Sequence, residues 1–150
     1  MKRSHAKIYI HYIWGTKFHK KILQPDKRLI IIEHIKNYCS RREIDVLALG
    51  GSLEHLHLLA EIPPRLSVSE SINLVKGESS HWINDNDIFR EKFVWQIKYA
   101  AFSVSRPHLD IVKKYINYQE SYHRENTFQQ EVIEMYQKFN INVDDIEILR

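Results

Sequence analysis

The apolar residues of this chain alternate between two periods in a set order, and that order limits the folds open to it. In residues 7–14, KIYIHYIW, the side chains of Ile8, Ile10, Tyr12 and Trp14 share one face, the period of two that marks a strand. Over residues 25–42 the spacing lengthens. Ile31, Ile35 and Tyr38, with Ile32 and Cys39 beside them, form the apolar side of a helix, with Asp26 as the expected N-cap. Residues 45–50, DVLALG, and 55–62, HLHLLAEI, return to strand, and Gly50-Gly51-Ser52 suits a hairpin connection between them. Ser67 and Glu70 have capping-box spacing ahead of a helix striped by Ile72, Val75, Ser79, Trp82 and Ile83. Residues 93–105, FVWQIKYAAFSVS, alternate again, with an irregularity at Ala100-Ala101. Pro107 opens a helix to about residue 124, and Thr127 with Gln130 caps a last one to about residue 139. The order is β-α-β-β-α-β-α-α. It predicts an α+β chain whose first six elements form a ferredoxin-like (RRM-like) split βαβ sandwich, an antiparallel sheet with helices on one face. Two further helices follow.

A chain of 150 residues, 43% of them hydrophobic, can bury one sizeable core, so residues 1–150 read as a single domain. Its expected parts are a core at about 5–105, a tyrosine-bearing helix at about 107–124 and a C-terminal helix at about 128–139. With only four glycines and four prolines, loops should be short. The lone Cys39 excludes an intramolecular disulfide and suits a reducing, cytoplasmic setting. The N-terminus begins basic, but it lacks the apolar run of a signal peptide, and no stretch approaches a membrane span. A net charge of +3 permits a nucleic-acid partner without arguing for one.

Within the third strand, His55 and His57 are two residues apart, so both side chains leave one face of the sheet, while Leu56 points to the other. Two imidazoles so placed can serve one metal ion, or they can be two half-exposed histidines on a sheet. Two ligands hold a divalent ion poorly, so a metal site needs a third. The stretch IVKKYINYQESYHRENTF, residues 111–128, offers candidates. Leu109, Val112 and Ile116 define its core stripe, and Tyr115 and Gln119, four residues apart, neighbour each other at the stripe's edge. Gln119 could supply a neutral oxygen and Tyr115 a nucleophile whose proton a nearby cation helps remove. Read alone, the same segment is an amphipathic helix with tyrosines as packers.

Together the segments resemble the single-tyrosine HUH transposases of the smallest bacterial insertion sequences and their REP-associated relatives. GGSLEHLHLL is similar to that family's histidine–hydrophobic–histidine strand, and KYINYQESYHRENTF to its tyrosine helix. LVKGESSHWIN and FVWQIKYAAFSVS resemble the helix and strand that lie between them. The four ordered blocks place the resemblance across residues 8 to about 139. It implies that His55, His57 and Gln119 bind Mg2+ or Mn2+ and that Tyr115 attacks a single-stranded DNA phosphodiester. The products would be a 5′-phosphotyrosine and a free 3′-OH, and a later 3′-OH would rejoin DNA with no nucleotide cofactor. The resemblance also implies a homodimer, a cytoplasmic bacterial protein, and a substrate with hairpin ends.

Departures from the family pattern are Leu53 for proline, Glu54 for aspartate, Lys98 for glycine, and Tyr122-His123 for a double histidine. Tyr122 and Tyr118 are therefore alternative nucleophiles, but only Tyr115 has Gln119 four residues on. Phosphate contacts are expected from Lys17, Lys20 and Lys21, close to Trp14, Phe18 and His19, and from Lys113 and Lys114. Lys76 in the second helix, and Arg41 and Arg42 at the end of the first, are further candidates. Two competing readings remain: a metal-dependent phosphoesterase that uses water, and a domesticated hairpin-DNA-binding protein without chemistry.

Overall fold

The computed structural model describes residues 5–150. Four strands, β1 (Tyr9–Gly15), β2 (Asp45–Gly51), β3 (His55–Glu61) and β4 (Ala100–Ser103), form one antiparallel sheet in the order β2-β3-β1-β4. This is the split βαβ arrangement expected from the sequence. Helices α1 (Pro25–Arg41) and α2 (Val68–Asp85) cover one face, where Tyr12, Trp14, Leu56 and Leu58 meet Ile31, Ile35, Ile72 and Val75. The appended helices α3 (Leu109–Asn117), α4 (Gln119–Tyr122) and α5 (Phe128–Lys138) take the second face. There Ile116 packs on Ala48 and Leu59, while Phe128 and Val132 pack with Ile13 and Phe102. The sheet is thus a middle layer, and alternation along β3 sends Leu56 to one core and His55 and His57 into the other.

The local chemistry explains most boundaries. Thr127 and Gln130 form a reciprocal capping box at α5, and the Ser67 side chain accepts from the Glu70 amide at α2. Asp26 is not the N-cap of α1. Gln24 holds that place, Pro25 occupies the first turn, and Asp26 sits where a carboxylate favours the positive end of the helix dipole.

Two expected elements are shorter than their patterns. Residues 93–99 alternate but form no ladder beyond a bridge between Thr16 and Trp95. Their alternation records burial. Trp95 donates from Nε1 to Ser79 Oγ at 2.9 Å, and the Asn84 amide clamps the Phe93 backbone on both sides. The helix opened near Pro107 breaks at Tyr118, whose backbone (φ −105°, ψ 22°) divides α3 from the single turn α4.

The two glycines before the histidines have steric reasons. Gly51 meets the His55 carbonyl too closely for any Cβ, and a Cβ on Gly50 would lie 2.6 Å from the Ile116 carbonyl oxygen. The absence of a side chain at Gly50 therefore lets α3 approach β2. Gly50→Ala is expected to push α3 outward and to cost about 1–3 kcal/mol, read by urea unfolding. Unchanged stability would mean that α3 shifts freely.

Candidate active site

Three elements of one chain converge beneath α3. From β3, His55 and His57 are fully buried; from α4 comes Gln119 and from α5 Glu131, both also buried. Glu131 Oε1 lies 3.1 Å from His57 Nε2, 3.3 Å from His55 Nε2 and 3.2 Å from His123 Nε2. Its other oxygen accepts from Gln119 Nε2 at 2.8 Å and from the Tyr115 hydroxyl. Gln119 Oε1 in turn lies 3.0 Å from both His55 Nε2 and His123 Nε2. The Tyr115 ring stands edge-on to His57, 5.5 Å between centroids.

The outer nitrogens of the histidine pair are engaged. His55 Nδ1 lies 2.7 Å from Glu54 Oε1, and His57 Nδ1 lies 2.8 Å from Nε2 of His11 on β1. Each pair member therefore directs Nε2 inward, as an imidazole must to ligate a cation while its other nitrogen is held in place.

Electrostatics follow from burial and the shared carboxylate. Burial disfavours the charged form of Glu131, but His57, His123 and His55 outweigh it and hold the carboxyl far below the usual carboxylate range. Burial likewise opposes charge on His55, yet its bonds to Glu131 and Glu54 raise its pKa, whereas burial prevails at His57 and lowers it. Burial and then the Glu131 carboxylate push the Tyr115 phenol well above its ordinary value. An unassisted phenol here keeps its proton.

Burial, reinforced by His57 and opposed by Glu131, lowers His11 to about 3. In the unfolded chain this imidazole titrates near pH 6.5. Between those two values the unfolded state binds more protons, so acidification through that window removes stability, by up to about 1.4 kcal/mol per pH unit. His11→Phe is expected to flatten the dependence of urea unfolding on pH in metal-free protein below about pH 6.5. Parallel wild-type and variant profiles would place the proton uptake elsewhere.

The donor set fits a divalent cation. His55, His57 and Glu131 each offer a ligand atom, all within 4.8 Å of one another. Spacings of 3.0 to 3.3 Å among the inward nitrogens and oxygens match the roughly 3 Å between adjacent ligands of an octahedral ion with bonds near 2.1 Å. The two imidazole nitrogens favour an ion softer than magnesium, while the carboxylate and amide oxygens suit a harder one.

Residues 4–119 match the family described as IS200-like transposases. The chain belongs to that family. Over 70 residues it is 29% identical to the transposases for insertion sequence element IS200 of Salmonella typhimurium and Salmonella typhi. The aligned stretch is 47% of this chain and spans about half, 46%, of the length of those relatives. The fold is shared with a transposase-like crystal structure from Deinococcus radiodurans at a TM-score of 0.63 and 20% identity, covering 79% of this chain and 98% of that one. It is also shared with a REP-associated tyrosine transposase bound to a REP hairpin, at a TM-score of 0.61 and 15% identity, covering 82% and 73%.

In this member of the IS200-like family the structure brings His55, His57, Gln119 and Tyr115 together, as the sequence suggested, and adds Glu131. The signal for Glu131 was a carboxylate beside Val132 and three residues from Phe128, on the apolar side of α5. His11 carried a similar signal, because its strand neighbours Ile10 and Tyr12 face the other core. Tyr118 is 65% exposed and points away from this cluster's bonding, whereas Tyr122 packs 5.5 Å from the Tyr115 ring. A cavity of about 740 Å3 reaches Tyr115 and Glu131 between β4, α3 and α5. Lys17, Lys20, Lys21 and Lys114 are exposed and Lys113 is half-buried. Lys76 is spent internally, donating to the Ile97 carbonyl at 2.9 Å, and burial lowers it to about 8. Trp14 is fully buried in the α1–α2 core and offers no surface to a base. Among the described residues no helix is long and apolar enough to cross a membrane.

Proposed function

We propose that this chain cleaves and rejoins single-stranded DNA through a 5′-phosphotyrosine on Tyr115. The observation that carries the reading is the meeting of the Tyr115 hydroxyl and both strand histidines on one carboxylate, that of Glu131. His55, His57 and Glu131, with Gln119 beside them, would hold a Mg2+ or Mn2+ ion. That ion, when bound, polarises the phosphate and favours the phenolate over the phenol.

The chain's own groups supply the rest. Glu131 Oε2 accepts the hydrogen bond of Tyr115 Oη and orients it, and the phenol proton leaves to solvent through the cavity that reaches Tyr115. The oxygen then forms a bond to phosphorus, and the bond from phosphorus to the 3′-oxygen breaks. The departing 3′-oxygen takes up a proton from solvent and becomes a 3′-OH. Attack by a 3′-OH reverses the sequence and returns a proton to Tyr115. The covalent link conserves the phosphodiester bond, so no nucleotide cofactor is required. Gln119 holds the Glu131 oxygen from the opposite side, and His11 keeps His57 turned with Nε2 inward. Lys113 and Lys114, which precede Tyr115 on α3, and Lys17, Lys20 and Lys21 after β1 supply charge for the phosphates.

Tyr115 lies beside His57 of the same chain, and in a homodimer the tyrosine helix could serve either its own histidines or those of a second copy. The test is a denaturing gel of protein with labelled single-stranded DNA from the flanks of its own coding sequence, with and without Mn2+. A slow covalent band that needs both Mn2+ and Tyr115 is expected. Metal-dependent cleavage without a band would favour a phosphoesterase, and binding without cleavage a domesticated binder.

A further inference from the structure

Just after β1 the backbone adopts a conformation that its own residues disfavour. Phe18 and His19 have φ of 60° and 50°, in the left-handed region that side chains other than glycine rarely enter. No core packing compensates, because Phe18 is 78% exposed. The turn is nevertheless fastened on every side. The Lys17 amide donates to Val94 O at 3.0 Å, the His19 amide to Thr16 O at 3.0 Å, and Thr16 Oγ1 to Lys20 O at 2.7 Å. His19 Nε2 donates to the Ile148 carbonyl at 2.8 Å. Surrounding bonds thus hold an aromatic ring out in solvent at a cost, which is how functional positions store strain.

The ring borders a groove of about 500 Å3. Its aromatic wall is Phe89 and Phe93, stacked at 5.3 Å. Four cations, Lys17, Lys20, Arg90 and Lys92, line it against one acid, Glu91. The Lys17 ammonium lies 5.2 Å from the Phe18 centroid, so one face of the ring carries a cation and the ring remains open to a second partner. The turn that carries Phe18 is linked to the active site through the next residue, His19. His19 meets Phe128 edge-on at 5.6 Å, and Phe128 stacks on His55 at 4.1 Å.

An exposed aromatic held beside excess positive charge satisfies both needs of an unpaired strand, stacking for its bases and charge for its phosphates. We propose that this groove seats a segment of single-stranded DNA, with one unpaired base stacked on Phe18 and flanking phosphates against Lys17, Lys20, Arg90 and Lys92. The choice of DNA rests on the strand-transfer reading above. The stacking role of Phe18 and the recruitment of Arg90 and Lys92 go beyond it.

The experiment is fluorescence anisotropy with a labelled twelve-nucleotide oligothymidylate in EDTA, where Tyr115 makes no adduct. Phe18→Ala is expected to weaken binding about tenfold or more, and Phe18→Trp to preserve it. An abasic strand of equal charge should lose less than about twofold on the same Phe18→Ala change. Phe18→Gly, which suits the backbone, should melt at or above the wild-type temperature while binding as weakly as Phe18→Ala. Lys92→Gln should weaken binding and reduce its salt dependence. Unchanged oligothymidylate affinity in Phe18→Ala, or an equal loss on the abasic strand, overturns the stacking role. Absence of wild-type binding overturns the groove as a strand site. Failure of the transfer reading appears separately, as a missing covalent band.

Discussion

Tyr115→Phe is expected to abolish the covalent protein–DNA adduct, a loss on the order of 10^4-fold or more, while the protein still folds and binds Mn2+. The ring remains seated against His57 and His11, so packing is kept. The hydroxyl is the only group removed, and Glu131 retains Gln119 and the histidines as partners. The stability cost should stay near the value of one hydrogen bond to a charged acceptor, about 1–2 kcal/mol. Tyr122 packs beside Tyr115 but shares no hydrogen bond with Glu131, so it should not substitute. A full-strength band in Tyr115→Phe that disappears in Tyr122→Phe would transfer the nucleophile to Tyr122.

Glu131 carries the second large effect, because its carboxylate serves the proposed metal site, Tyr115 and Gln119 at once. Glu131→Ala is expected to destabilise metal-free protein by about 3–5 kcal/mol, since it leaves buried imidazoles without their counter-charge. Glu131→Gln keeps the shape and removes the charge. It should lower Mn2+ affinity about 10- to 100-fold and slow adduct formation, with the larger loss at low Mn2+. His55 has the sign opposite to His11. The flanking carboxylates raise its folded pKa, so its contribution is complete below the unfolded value near 6.5 and is lost as pH rises through the folded one. Glu131→Gln should remove much of that dependence. Calorimetric titration with Mn2+ and urea unfolding across pH read the two effects separately. Wild-type Mn2+ affinity in Glu131→Gln would leave the ion to the histidines and Gln119.

The elements and their order were legible because each rests on local periodicity. Ile8 to Trp14 could only line one side of a strand, and Ile31, Ile35 and Tyr38 only one side of a helix. His55 and His57 had to share a face, by the same alternation. Tyr115 and Gln119 were recognisable as a pair through their spacing of four, and their functional meaning came from resemblance. Where periodicity misled, the alternation records burial more than strand pairing: Phe93 and Trp95 alternate because the α1–α2 core takes them, Asn84 holds the Phe93 backbone, and only Trp95 bridges a neighbouring strand.

Only the tertiary structure decided how distant segments share one polar cluster. Glu131 is 74 residues from His57 and His11 is 46, and no local pattern sets those approaches. They depend on α5 crossing the second face of the sheet and on α3 closing down over Gly50. The sequence determined the strand that aligns two imidazoles and the helix that carries the tyrosine. The packing of the added helices decided which carboxylate joins them, because burying a charge is tolerable only where the fold supplies its partners.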